Sequence, residues 1–483
     1  MSPKRNQGTD SSILETDPLI AELAGYVASP PVHPPLAYET AWLSLRDSIG
    51  VAFMALDHPD CTKLLGPWIP GTVSPGPGAR VPGSSLKLDL MKAVFDTGAL
   101  IRWLDYNDTW LAAEWAHPSD NLGALLPVSD YLCRRENPVV VTVRDLLSSM
   151  IEAYEIQGIL ALTNSLNAVG VDHVVYVRVA SAGLVTRLLG GSRPTIENAL
   201  TQAFADGGSL RAYRHHPNTG SRKSWAAADA SRRSIELALL SLRGEMGYPR
   251  ILSAPRWGFN TVVMGDTPLQ LNRPLGSYVM ENILYKVDFP AEFHGQTAAE
   301  AAVRLHPSVH DRLDEIAEIV IETQSAAIRI IDKTGPLRNP ADRDHCLQYI
   351  VASALLRGRL VAQDYEEGPA ADPWIDRLRS KMRVVENPDF TRHYYDPAKR
   401  YIGNAIQVHF REGPPTERVV VEVPLGHRER REEARPRLLR KFREGLAQLA
   451  PARADAITAF LDTPWQEQAG RPVSDLMDLL TSS

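Results

Sequence analysis

The chain has 483 residues, 44% hydrophobic and 23% charged, which excludes a disordered, collagen-like or coiled-coil protein and allows about two to four domains. Its 52 Lys plus Arg against 58 Asp plus Glu leave a formal net charge of −6, so no nucleic-acid partner is expected. Three scattered cysteines, Cys61, Cys133 and Cys346, form no C-x-x-C pair. That argues against a disulfide framework and a thiolate-bound cluster, and for a reducing compartment: the cytoplasm, or the mitochondrial matrix in a eukaryotic source.

Residues 1–16 contain two early cations but no apolar core, so they read as a disordered tail rather than a secretory signal. No run approaches the roughly 20 apolar residues that span a membrane, and no membrane partner is expected. From Asp17 to about Tyr278 apolar residues mostly recur three or four apart, the helical period. In LKLDLMKAVFDTGALIRWLD, Leu90, Val94, Ile101 and Leu104 form one stripe with Asp89 and Lys92 off it, and Ala93, Thr97, Gly98 and Ala99 let another helix come close. GPWIPGTVSPGPGARVPGSS reads as a long surface loop, because its prolines and glycines forbid regular structure.

After about Leu284 the texture changes. EIAEIVIETQ and NAIQVHF read as strands, and RVVVEVPLG completes a hairpin with the second. DHCLQYIVASALLRGRL between them is helical. RERREEARPRLLRKFREGL returns to helical spacing, with Leu438, Leu439, Phe442 and Leu446 facing inward and its arginines in solvent. The expected architecture is mainly α with an inserted α+β domain.

Phosphate-loop, dinucleotide, H-E-x-x-H and G-x-S-x-G signatures are all missing. His306 and His310 have a four-residue spacing interrupted by Pro307 with no Glu, which reads as a surface helix start rather than a metal site. Asn107-Asp108-Thr109 matches a glycosylation sequon by chance.

Five stretches carry too many polar groups for a bland core. RWLDYNDTWLAAEWAHPSDN crowds Asp105, Asp108, Thr109, Glu114, His117 and Ser119 among three tryptophans, and burying such groups is costly unless they are paired or used. In NAVGVDHVVYVRVAS, His173 precedes an apolar run and taken alone reads as structural. YRHHPNTGSRKSW is an anion-binding loop or a solvated basic turn, the turn being the favoured reading. ILYKVDFPAEFH brings Lys286, Glu292 and His294 together, and GPLRNPADRDHCLQYI holds Arg343, Asp344, His345 and Tyr349. Cations, imidazoles, a phenol and carboxylates without metal spacing suit proton transfer on a small polyanion with no cofactor and no metal.

At RWLDYNDTWLAAEWAHPSDN the chain resembles the MmgE/PrpD family, and HPDCTKLLGPWIPGTV, RKSWAAADA, RPLGSYVMENILYKVDFPAEFH, GPLRNPADRDHCLQYIVA and AQDYEE extend the resemblance along nearly the whole sequence. The resemblance implies a helical domain from both chain ends (17–283 and 428–483) and an α+β lid (284–427). It also implies a homodimer, and a site between the domains for a tricarboxylate. Carried over by motif, the catalytic candidates are Asp105, His117, Lys223, Lys286, Tyr349 and, from a less distinctive stretch, His173; the substrate-binding candidates are Thr109, Ser119, Arg222, Glu292, His294 and Arg343. The implied reaction is cofactor-independent dehydration of 2-methylcitrate to 2-methyl-cis-aconitate. Dehydration of a longer alkylcitrate and decarboxylation of cis-aconitate are the alternatives, and a catalytically silent tricarboxylate binder is a further one. Glu292 after the FPA triplet, where the decarboxylase branch has a histidine, and the WLAAEW insert favour the dehydratase branch. Ala116 and His216 depart from the family pattern beside the candidate site and would modify an alkyl pocket.

Overall fold

The computed structural model describes residues 15–72, 74, 76–215 and 219–481. Most of the predicted tail, and His216, lie outside these residues. Two large hydrophobic cores organise the chain. One gathers side chains from Ile20 to Val287 and from Leu425 to Leu480; the other runs from Ala291 to Val421. Sequence-distant ends therefore build a single helical body, and the middle of the chain builds a second unit against it.

The body contains α1 (Pro18–Ala28), α2 (Pro35–Ala55), α3 (Pro59–Thr62), α4 (Leu90–Arg102), α5 (Leu122–Arg134), α6 (Val143–Thr163), α7 (Val174–Leu188), α8 (Arg193–Ala205) and α9 (Ala226–Leu242). Glycine makes the central contact possible. A Cβ on Gly123 of α5 would lie 2.7 Å from Gly98 Cα of α4, and one on Gly98 would lie 3.0 Å from Ala228 Cα of α9. The small residues noted in the sequence thus bring α4, α5 and α9 nearly backbone to backbone. Asp105 follows the end of α4, His117 precedes the turn into α5 and Lys223 precedes α9, so this packing also gathers the candidate residues.

The second unit contains α10 (Gln296–Val309), α11 (Ser325–Ile331), α12 (Leu347–Arg357), α13 (Pro373–Arg379) and α14 (Pro388–Tyr395). A two-residue ladder in the body pairs β1 (Ala79–Arg80) with β2 (Lys87–Leu88); the four-stranded sheet of the second unit has β3 (Ile316–Thr323), β4 (Met382–Glu386), β5 (Asn404–Phe410) and β6 (Val419–Val421). Its order is β4-β3-β5-β6, with β4 parallel to β3 and the other pairs antiparallel. The predicted hairpin is β5-β6, while β4 gave no signal because it is an edge strand with no fully buried residue. α10 packs on β5, β6 and α12. The chain then returns to the body through α15 (Arg431–Gly445), α16 (Pro451–Asp462) and α17 (Val473–Leu480).

Four local expectations change. Lys92 is buried: its ammonium pairs with Asp96, donates to the Leu64 carbonyl at 2.8 Å and sits 4.1 Å from the Trp68 ring. The second half of the Pro/Gly loop is interior, with Arg80 Nη2 held 2.9 Å from Asp130. His306 ends α10 rather than opening a helix, its Nδ1 donating to the Leu355 carbonyl at 2.7 Å. The favoured solvated basic turn is only partly solvated: Arg214 and Lys223 are nearly inaccessible, whereas His215 is exposed and Arg222 partly so. Apart from Asp96, one helical turn from Lys92, the partners that accompany burial lie far away in sequence.

Candidate active site

Asp105 stands at the centre. Its φ of +49° is left-handed, a conformation aspartate tolerates better than most residues. This turn swings the carboxylate from the end of α4 into a nest of cations. Arg102 touches it, Lys286 Nζ lies 2.6 Å from Oδ1 and donates to the Asp105 carbonyl at 2.5 Å, and Lys223 Nζ lies 3.5 Å from Oδ2. Burial would raise the Asp105 pKa, but Arg102, Lys286 and Lys223 together hold it well below the usual carboxylate range. Burial pushes the Lys286 amine down, and Asp105 only partly restores it.

Lys223 ties the body to the second unit. Its ammonium is 2.7 Å from Asp344 Oδ2 and 3.3 Å from His345 Nδ1, and His345 Nε2 is 3.7 Å from Asp105 Oδ2. Asp105, Asp344 and His345 present ligand atoms within 4.8 Å of one another, a spacing that could hold a metal ion. The Lys223 ammonium already lies against all three, and it fills the role of cation in that cluster.

A short antiparallel bridge between Trp110 and Ala116 sets the other wall. Side chains alternate across such a bridge. Thr109, Leu111, Trp115 and His117 accordingly line one cavity, while Trp110 donates to the Gly158 carbonyl at 3.1 Å and Ala116 is fully buried. His117 Nδ1 is 2.7 Å from the Asp108 carbonyl, which can only accept, so Nδ1 carries the proton and Nε2 is left as the basic nitrogen. Burial, with help from Arg102, keeps the ring well below its usual pKa and therefore neutral. Thr109 Oγ1, 3.1 Å from the same Nδ1, braces it.

His173 caps α7 with its ring centroid 5.7 Å from that of His117. Burial outweighs the neighbouring Asp172 and keeps it neutral too. Both of its ring nitrogens, and Nη1 of Arg211, are buried without a hydrogen-bond partner. Arg214 clamps Asp172, with Nη2 3.2 Å from Oδ1. Arg102, Arg211, Arg214 and Lys286 face a cavity of about 50 Å³ between the two units, enough for a few water molecules.

The MmgE/PrpD N-terminal domain matches residues 21–272 and the MmgE/PrpD C-terminal domain residues 289–466. The chain belongs to the MmgE/PrpD family. It is 50% identical over 473 residues to the 2-methylcitrate dehydratases of Cupriavidus necator and of Escherichia coli K12, covering 96% of this chain and 97% of each relative. The mitochondrial 2-methylcitrate dehydratase of Yarrowia lipolytica is 50% identical over 441 residues, covering 90% of this chain and 85% of that one.

Among the residues proposed for this MmgE/PrpD chain, Asp105, Thr109, His117, His173, Lys286 and Glu292 line the cavity, and Lys223 reaches Asp105 from beside it. Glu292 enters from the second unit, its Oε1 2.8 Å from His294 Nδ1. Burial opposes its ionisation, but His294 holds it down at about 2. His294 itself does not line the cavity. Its Nε2 shares a hydrogen bond with Tyr394 Oη at 3.0 Å, and Tyr394 accepts from Trp115 at 3.0 Å, so the two units are hydrogen-bonded through this chain.

Four expected positions lie elsewhere. Tyr349 is in the core of the second unit, its hydroxyl committed to the Asp364 carbonyl at 2.6 Å. Ser119 donates to Asp108 at 2.7 Å and orders the loop from behind. Arg222 is partly exposed, stacked 4.3 Å from the Trp225 ring. Arg343 is spent on the Tyr365 carbonyl at 2.7 Å and on Glu367 at 3.0 Å. Ala116 faces away from the cavity and cannot alter it directly. The residues that sequence reasoning left out, Arg102, Arg211, Arg214 and His345, mostly sat in windows already marked as polar; the missed signal was charge density flanking the motif residues.

Proposed function

We propose that this chain is a hydro-lyase that converts 2-methylcitrate to 2-methyl-cis-aconitate and water, with the activity its relatives are named for. The observation that carries the reading is the set of cationic and imidazole groups around one small cavity, with both ring nitrogens of His173 and Nη1 of Arg211 lacking a hydrogen-bond partner, which calls for a polyanion. Arg211 and Lys223 bind substrate carboxylates. His117 Nε2 takes the proton from the carbon next to a carboxylate, and the electron pair passes into that carboxylate as enediolate charge. Lys286 uses two of its three ammonium donors on Asp105, and the third protonates the departing hydroxyl as the C–O bond breaks. Its burial-lowered pKa suits that role. His117 holds one proton more at the end and Lys286 one fewer, so exchange with water resets both.

The elimination needs neither metal nor redox cofactor. The cavity is too tight for a tricarboxylate as it stands, so the second unit opens as a lid about hinges near residues 284 and 427. The working protein is a homodimer, cytoplasmic or, in a eukaryotic source, in the mitochondrial matrix. No helix among the described residues is long and apolar enough to cross a membrane. The test is a product assay by mass spectrometry on chelator-treated protein given citrate, 2-methylcitrate and longer alkylcitrates. Loss of one water from 2-methylcitrate is expected; loss of carbon dioxide instead, or no turnover, overturns the reading, and activity abolished by metal removal overturns the cofactor-free mechanism.

A further inference from the structure

The cavity has two unlike sides. Apart from the charged and imidazole groups and Thr109, its lining is Leu111 and Trp115 from the body and Phe293 and Ile330 from the second unit. These four belong to one hydrophobic cluster that straddles the two units and is separate from both main cores. Such a patch has no use for carboxylates or a hydroxyl. On the bridge Leu111 and Trp115 alternate with the core-facing Trp110 and Ala116, so they stand on the same face as His117, the nitrogen base.

We infer that Leu111, Trp115, Phe293 and Ile330 form the alkyl subsite, and that Leu111 with Ile330 sets how long an alkyl chain the enzyme accepts. The inference rests on the dehydratase reading, in which the carbon that loses its proton also bears the alkyl group. A group on that carbon must lie within reach of His117, and Leu111 and Trp115 are the apolar side chains that share the His117 face of the bridge. Leu111 has a second property. It also borders a neighbouring cavity of about 190 Å³, apolar on the side of Trp110, Leu162 and Leu284 and lined elsewhere by polar and cationic groups such as Arg273 and Arg400. Shortening Leu111 removes the wall between the two spaces, so a longer chain gains room without displacing any group that binds charge.

The experiment compares kcat/KM for citrate, 2-methylcitrate and 2-propylcitrate in the wild-type chain, Leu111→Ala and Ile330→Ala. One methylene in an apolar pocket changes discrimination by about ten-fold or more. Leu111→Ala is expected to shift the propyl-to-methyl ratio at least that far toward the longer substrate, and Ile330→Ala in the same direction. Leu111→Phe, which fills rather than empties the subsite, is expected to shift the methyl-to-citrate ratio toward citrate and keeps the test open if truncation impairs folding. Ratios that stay within two-fold of the wild type in folded variants overturn the alkyl subsite while leaving the dehydratase reading intact. Failure of the wild-type chain to dehydrate any alkylcitrate overturns both.

Discussion

Two buried lysine–aspartate pairs lie back to back in this molecule, and they serve different ends. Lys441 of α15 is 2.7 Å from Asp47 of α2, and its ammonium also donates to the Tyr106 carbonyl at 2.7 Å and the Lys286 carbonyl at 2.8 Å. One cation meets one carboxylate there, and all three donors are used. Lys286, whose backbone Lys441 holds, meets Asp105 in company with Arg102 and Lys223. There three cations share Asp105 with two further carboxylates, Asp344 2.7 Å from Lys223 and Asp120 3.8 Å from Arg102, and the group borders a cavity. A pair sealed in by backbone carbonyls is structure; a charge network beside a space whose lining includes unpartnered donors is a site.

That contrast can be broken directly. Lys441→Met leaves Asp47 buried without its partner, and removing one member of such a pair costs about 3–5 kcal/mol; a loss of that order in denaturant unfolding is expected. Lys286→Met leaves Asp105 with two other cations, so its unfolding free energy should fall less than that of Lys441→Met. Its kcat should drop roughly 10²–10³-fold, the usual cost of one preorganised donor. Equal losses of stability in the two variants would erase the distinction.

His117→Ala sharpens the chemical half of the comparison. Turnover should fall roughly 10²–10⁴-fold with the melting temperature nearly unchanged, because the ring is neutral and leaves no charge unpaired. A variant retaining more than a tenth of wild-type kcat would remove His117 from the role of base.

The smallest expected effect concerns Glu114, buried behind the cavity 3.6 Å from Arg211 Nη1. Burial raises its pKa to about 7, against an ordinary 4.5. The folded state therefore holds a proton that the unfolded chain releases, so this contribution to stability is full below about pH 4.5 and is lost as pH rises through 7. Glu114→Gln keeps an acceptor for the Asn167 amide, which the wild-type carboxylate takes at 2.5 Å. The variant's melting temperature should fall by a few degrees less than that of the wild type between pH 5 and 8. Parallel melting curves across that range would place the titration elsewhere.

Much of the fold was legible because it rests on local signals. The helical period, the hairpin β5-β6 and the small residues of α4 are properties of short windows, and each appears in the structure. The polar windows likewise contained most of the cavity residues. What misled was taking charge to mean solvent: Lys92, Arg80, Arg211 and Arg214 are all buried, Lys92 paired with Asp96 one helical turn on and the three arginines with carboxylates from other parts of the chain. Tyr349 shows the converse. It lies in a motif shared with the family, but its hydroxyl is taken by a backbone carbonyl 15 residues on.

The amino-acid sequence by itself determined the family, the helical and strand periods and the stock of cations, imidazoles and carboxylates available for chemistry, since these depend on residues near one another along the chain. Only the tertiary structure decided which of those groups share a cavity, which carboxylate each buried cation meets, and that Leu111 and Trp115 face the same space as His117. Those facts depend on contacts such as Lys223 with Asp344, 121 residues apart, and on the turn of a single backbone angle at Asp105, which no local pattern specifies.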